Sequence, residues 1–271
     1  MSQTTSLRLM TLNIAHGRGL SPYQGFHSAK SIERNLNRIA YLLRRVDADV
    51  VALQEVDEDS HWNKRIHLLN VLQERAGYGE SYLGVHNRRV GRLPLAYGNG
   101  LLTRFSIRHA EHQAFGRASL GEKGFMCAEL ETAQGILPVI NLHLDFKSRL
   151  RRIEQVERLI AFLEDKHYTS DMKPHLSPII CGDFNARKGK RTDAVRHLFR
   201  YLLENLDYQL FPETKSRTFP SIMPTHGYDF FFIPPTYEVL DCAVLRSFVS
   251  DHRPVVLELK LPKSPAHYIS D

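Results

Sequence analysis

Acids, amides and imidazoles recur in this sequence where short apolar runs stop. Leu12-Asn13-Ile14-Ala15-His16 closes the first run and Leu53-Gln54-Glu55-Val56-Asp57 the second. Further on come Asn141-Leu142-His143-Leu144-Asp145 and Cys181-Gly182-Asp183-Phe184-Asn185, and Ser250-Asp251-His252-Arg253-Pro254 immediately precedes the last run. Side chains at i and i+2 of a strand share a face, so Asp183 and Asn185 should project together with Phe184 turned inward, and likewise His143 with Asp145. Carboxylate and amide oxygens are hard ligands, suited to Mg²⁺ or Mn²⁺ rather than zinc. Mg²⁺ needs only one or two carboxylates, which Glu55 and Asp251, with Asn13 nearby, would supply.

Each residue also has an ordinary structural explanation. Asn13 and Asn185 suit turns, because Asn bonds its own backbone there. Glu55 reads as a solvated strand-end acid, Asp183 as a turn carboxylate after Gly182, and Asp251 as a cap beside an exposed His252. The repetition favours function: a metal site at one end of a sheet requires runs that end in acid, amide or imidazole.

The elements that must position these groups are short strands and amphipathic helices. Residues 7–14, 49–54, 100–102, 137–142, 179–181, 230–233 and 255–259 read as buried strands. Residues 32–45 place Ile32, Leu36, Ile39, Leu42 and Leu43 on one stripe. Residues 150–163 do the same with Ile153, Val156, Leu159, Ile160 and Leu163, and 192–203 is a weaker third helix. Interleaved strands and helices make the class α/β or α+β. No linker, repeat or low-complexity tract divides the 271 residues, so one domain over 1–271 is expected. No GxGxxG or Walker-type loop opens a helix, which disfavours nucleotide-cofactor folds. The three cysteines form no CxxC pair, as in a reducing compartment. No leader pattern or apolar span is evident, and a cytoplasmic location is expected. The net charge of +6 attracts polyanions and phosphate esters.

The ordered strings at 12–14, 53–57, 98–105, 141–145, 181–186 and 250–256 resemble the endonuclease/exonuclease/phosphatase superfamily, the group of DNase I, apurinic endonucleases, neutral sphingomyelinases and inositol polyphosphate 5-phosphatases. The similarity spans roughly residues 7 to 260 and is closest to compact bacterial members. It implies a four-layer α/β sandwich, with two mainly antiparallel sheets face to face, helices outside and the site at one edge. It also implies roles. Glu55 would be the principal ligand of Mg²⁺ or Mn²⁺, with Asn13 and Asp251 close by. Asp183 and Asn185 would position or activate the attacking water and touch the phosphate. His252, oriented by Asp229, would be a general acid or base, and His143 would bond a non-bridging phosphate oxygen. Whether Asp183 or His252 takes the water's proton stays open at this level. These roles suit phosphoryl transfer, which asks mainly for positioning and charge neutralisation.

One departure concerns Asp229: Gly227-Tyr228 stands where the family usually carries Arg-Ile, which removes an expected cation while Asp229 keeps its place. Substrate choice lives in the loops. His143-Leu144-Asp145 argues against an apurinic endonuclease. Basic clusters at 86–92, at Arg149, Arg151 and Arg152, and at 187–191 favour a polyanion, with nucleic acid ahead of a lipid headgroup or small phosphate ester. A phosphomonoesterase and an inactive polyanion-binding module are the alternatives. Trp62 reads as helix-start packing rather than rim, and His16 as a turn residue or a substrate contact.

Overall fold

In the computed structural model, which describes residues 6–116, 121–166, 176–186, 194–213 and 215–262, twelve strands form two six-stranded sheets. The first holds β1 (Ser6–Asn13), β2 (Val50–Asp57), β3 (Glu80–Arg89), β4 (Leu95–Thr103), β11 (Glu238–Val244) and β12 (Val255–Lys260), in the order β11-β12-β1-β2-β4-β3. The second holds β5 (Ile107–Ala114), β6 (Gly124–Thr132), β7 (Gly135–His143), β8 (Ile179–Asp183), β9 (Gln209–Phe211) and β10 (Asp229–Ile233), in the order β5-β6-β7-β8-β10-β9. Each sheet contains one parallel pair, β1 with β2 and β7 with β8, and is otherwise antiparallel. Each parallel pair is bridged by a helix, as its crossover requires. These are α1 (Ala29–Val46) and α3 (Arg149–Asp165).

Three apolar clusters glue four layers together. Leu7, Leu9, Val50 and Ala52 meet Leu137, Val139, Cys181 and Phe231 between the sheets. Met10, Leu12, Val51 and Leu53 pack under α1, through Ile32, Leu36, Ile39 and Leu43, and under α2 (Leu68–Ala76). Ile140, Leu142, Phe230 and Phe232 pack under α3 and α4 (Ala194–Leu206). This is the four-layer sandwich that the motifs imply.

Period-2 alternation carries the architecture into the candidate site. On β1, Leu7, Leu9, Thr11 and Asn13 share the face toward the other sheet. Leu137, Val139, Asn141 and His143 do so on β7, Ile179, Cys181 and Asp183 on β8, and Asp229, Phe231 and Ile233 on β10. The polar residues therefore continue an apolar face past its end, and all emerge at one edge of the inter-sheet seam.

Just inside that edge lies a buried polar layer. Gln54 Nε2 donates to Thr11 Oγ1 at 3.0 Å and to Asn141 Oδ1 at 2.7 Å. Asn141 Nδ2 in turn donates to the backbone oxygens of Leu53 and Gly100, both at 2.9 Å, so one side chain on β7 ties down two strands of the opposite sheet. Replacing it would strand buried donors and acceptors, each costing about 1–3 kcal/mol. Asn141→Leu should lower the unfolding free energy by about 3 kcal/mol with the urea m-value unchanged; a loss under about 1 kcal/mol would show that the layer is not a structural tie.

Several elements exceed the sequence expectation. The 100–102 strand is the C-terminal part of the longer β4, and β3, β5, β6, β9, β11 and α2 were not read as elements. The outer strands β5 and β11 carry polar residues on one face, which hides their apolar period. The stretch 192–193, at the start of the expected third helix, lies outside the described residues.

Candidate active site

Asp183 stands at the centre of the seam's edge, only 1% exposed. Its Oδ2 accepts from Asn13 Nδ2 at 3.0 Å and lies 3.4 Å from His143 Nε2 and 3.7 Å from His252 Nε2. Its Oδ1 accepts the Asn185 backbone N–H at 2.9 Å. Behind His252, Asp229 receives Nδ1 at 3.0 Å, so the acid–imidazole–acid line Asp229–His252–Asp183 crosses the seam. β10 and β8 set this line through their register, in which Asp229 pairs with Asp183.

Strict alternation fails at Asn185 and at Asp145. β8 ends at Asp183. Phe184 does turn into the core, but Asn185 reaches the cluster through a left-handed turn (φ 48°). There Asn185 Nδ2 donates to the Leu144 oxygen at 3.0 Å and lies 3.1 Å from His143 Nε2. Asp145 does not join His143. β7 has already stopped, and Asp145 accepts the Lys147 and Ser148 N–H groups ahead of α3.

Glu55 arrives by a β-bulge. Strict alternation on β2 would send it to the helix side with Val51 and Leu53. The register instead shifts against β4 between Leu53 and Val56, and Glu55 adopts φ 56°. Such a residue costs about 1–3 kcal/mol unless its surroundings hold it, and bulges commonly re-aim a side chain next to a site. Glu55 Oε1 then lies 3.4 Å from Lys123 Nζ, and Oε2 lies 3.5 Å from His16 Nε2. Asp251 is held by Arg18 Nη2 at 2.6 Å. Ser250 Oγ ties the Asp251 loop to the Asn13 carbonyl at 2.6 Å.

Thus Asn13, His143, Asp183, Asn185, Asp229 and His252 touch one another directly. Glu55 and Asp251 flank them beside the basic side chains Lys123, His16 and Arg18. None of these three was singled out as a site residue by sequence, although His16 was noted as a turn or contact residue. Lys123 directly precedes Gly124, which pairs with His143, so reading the β6–β7 hairpin would have revealed it. His16 bonds Asp57 at 2.9 Å, and Trp62 Nε1 donates to the same carboxylate, which makes Trp62 a prop for His16.

The electrostatics separate the groups. Burial alone would raise Glu55, but Lys123, His16, His143 and Arg18 outweigh it and hold the carboxyl well below its usual range. Burial, together with Lys123, pushes His143 well below the usual imidazole value. With its Nδ1 accepting from Lys123 Nζ at 3.3 Å, the ring proton belongs on Nε2. His252 goes the other way: burial disfavours its cation, yet Asp229 and Asp183 raise it to about 10. Burial raises Asp183, with the Asp229 charge adding and His252 opposing.

Two donor sets could hold a cation. Asp183, Asp229 and His252 offer atoms within 4.8 Å of one another, but they are buried and already partner each other. Glu55 and Asp251, with side chains 19% and 24% exposed, offer hard oxygens toward solvent. The second set fits Mg²⁺ or Mn²⁺ chemically. Removing Asp229's charge should release His252: in EDTA, the ring-proton NMR shifts of wild type should report an imidazolium throughout neutral pH, and Asp229→Asn should lose that proton at a lower pH. Superimposable titrations would refute the pairing.

A sequence profile of the Endonuclease/Exonuclease/phosphatase family matches residues 10–252. No curated protein sequence matches the chain. Among solved structures, an endonuclease/exonuclease/phosphatase family protein from Bacteroides thetaiotaomicron is 17% identical with a TM-score of 0.69, the match covering 95% of this chain and 98% of that one. A mannosyl-6-phosphatase from the same species is 16% identical, with a TM-score of 0.67 and coverage of 93% and 99%. ANGEL2, a 2′,3′-cyclic phosphatase, is 16% identical, with a TM-score of 0.68 and coverage of 94% and 95%. At these identities the structural likeness concerns the fold, and the profile match carries the assignment. The chain belongs to the Endonuclease/Exonuclease/phosphatase family.

Proposed function

We propose that the protein is a divalent-metal-dependent phosphodiester hydrolase. The observation that carries this is the buried line Asp229–His252–Asp183, joined by Asn13 and His143 and set beside the partly exposed carboxylates Glu55 and Asp251. Glu55 and Asp251, with Asn13 close by, would hold Mg²⁺ or Mn²⁺, which supplies Lewis acidity toward a phosphoryl oxygen. The protein's own groups divide the remaining work. His143, neutral and protonated on Nε2, and the Asn185 amide offer donors to non-bridging oxygens. Asp183 accepts the proton of the attacking water. His252, kept charged by its two carboxylates, donates toward the leaving oxygen. Lys123 and Arg18 hold Glu55 and Asp251 in place and add positive charge where the phosphate would sit.

Names among the structural relatives support the reaction class, since a mannosyl-6-phosphatase and a 2′,3′-cyclic phosphatase both act on phosphate esters. Nucleic acid is the favoured substrate because the chain carries a net charge of +6. The basic clusters contribute unevenly. Arg88 is paired with Glu58, Arg152 is buried on the Asp145 carbonyl, and 187–191 lies outside the described residues. Among the described residues no helix is long and apolar enough to cross a membrane. A phosphomonoester is the second reading, favoured by the Lys123 and Arg18 cations, which suit a dianionic group.

Purified protein should hydrolyse an aryl phosphodiester faster than an aryl phosphomonoester with Mg²⁺ or Mn²⁺, and EDTA should stop it. Glu55→Ala and His252→Ala should each lower kcat by about a thousandfold or more, as expected for groups acting as a unit. Undiminished turnover in either variant would overturn the assignment, and faster monoester turnover would establish the second reading.

A further inference from the structure

A groove of about 940 Å³ lies away from the candidate active site, between α1 and the β11–β12 side of the first sheet. Its lining carries five guanidinium groups against two carboxylates, Asp241 and Glu258, and Arg8 already occupies Glu258 at 3.0 Å. Arg34, Arg38, Tyr41 and Arg45 line it from α1 at spacings of four, three and four residues, which keeps them on one helical face. They span about 16 Å along the helix axis. Arg246 and Phe248 face them from the chain that follows β11.

The groove has two further properties. First, its aromatic rings are already matched with cations: Arg45 stands 5.9 Å from the Tyr41 ring centre and Arg246 stands 5.7 Å from that of Phe248. Among the described residues Arg34, Arg38, Arg45 and Arg246 make no ion pair, and Tyr41 is 57% exposed. Second, the groove is linked to the candidate site through the chain. Val249 lines it and runs directly into Ser250-Asp251-His252. Asn35 Nδ2 on α1 donates to the Val249 carbonyl at 2.9 Å and to Gly17 at 3.1 Å, and Arg38 donates to the Phe248 carbonyl at 3.1 Å. The helix is therefore tied by hydrogen bonds to the segment that leads into Asp251 and His252.

We infer that this arginine–aromatic groove binds a single-stranded stretch of nucleic acid that flanks the phosphate held at the active site. A charged groove that tracks a backbone, with rings on which bases stack, is how single strands are bound without sequence preference. Concavity and length favour a linear polyanion over a flat membrane surface. The inference rests on the nucleic-acid reading of the proposed function, but binding can be measured without turnover.

Fluorescence anisotropy with a labelled single-stranded oligonucleotide in EDTA tests it. Combined Arg34→Ala, Arg45→Ala and Arg246→Ala should weaken binding at least tenfold at low salt. It should also reduce the slope of log affinity against log salt by about 2, since each phosphate contact contributes about 0.7 on a single strand. Tyr41→Ala should weaken binding several-fold and leave the slope unchanged. Aryl phosphodiester turnover and the melting temperature of the triple variant should match wild type. If that turnover is absent in wild type, the hydrolase reading fails while the binding result still judges the groove. Unchanged oligonucleotide affinity and slope in the triple variant would overturn the inference. So would retained oligonucleotide binding with loss of co-sedimentation on phosphatidylserine vesicles, which would assign the groove to a membrane surface.

Discussion

The organisation of the molecule turns on one buried carboxylate. Asp183 is removed from water, and its charge is tolerable only because an amide from the opposite sheet, two imidazoles and a backbone N–H converge on it. Those partners come from β1, β7, the turn after β8 and the loop before β12. Both sheets must therefore be complete and in register before the cluster exists. The polar layer of Thr11, Gln54 and Asn141 lies immediately behind it and transmits that register from one sheet to the other.

Around this centre the other charges are arranged in opposed pairs. Asp229 and Asp183 flank His252, while Lys123 stands between Glu55 and His143. The same burial therefore gives two imidazoles opposite states, one neutral and one charged, which is how neighbouring groups come to act as donor and acceptor in one site. Glu55 and Asp251, nearer to solvent, are the carboxylates that would be left for an ion, and the basic side chains Lys123, His16 and Arg18 stand beside them. The strained backbone at Glu55 fits this division, because regular β geometry would have buried the carboxylate beneath α1 and α2.

Much of this was legible in the sequence because strand alternation is a local property. Asn13, His143 and Asp183 each follow buried residues two and four positions earlier that face the other sheet (Thr11 and Leu9, Asn141 and Val139, Cys181 and Ile179), so their common direction could be read one strand at a time. Glu55 could be named as a strand-end acid, but its direction depends on a bulge against β4, and nothing within 53–57 announces that bulge. Lys123 and Arg18 escaped notice because their partners lie far away in sequence: Lys123 is brought in by the β6–β7 hairpin and Arg18 by the Asp251 loop. The arginine groove was hidden for the same reason. Its α1 arginines lie on the exposed face of the helix, and only β11 and the 246–249 segment supply the opposite wall. The strands β5 and β11 were overlooked because outer strands need only one apolar face.

A hard-metal site at Glu55 and Asp251 is the claim on which the chemistry depends, and calorimetric titration of the metal-free protein with Mn²⁺ tests it without any substrate. Wild type should bind Mn²⁺, Glu55→Gln should abolish or greatly weaken binding, and Asp229→Asn, on the buried side of the cluster, should leave it nearly unchanged. Absence of binding in wild type, or a loss confined to Asp229→Asn, would contradict it.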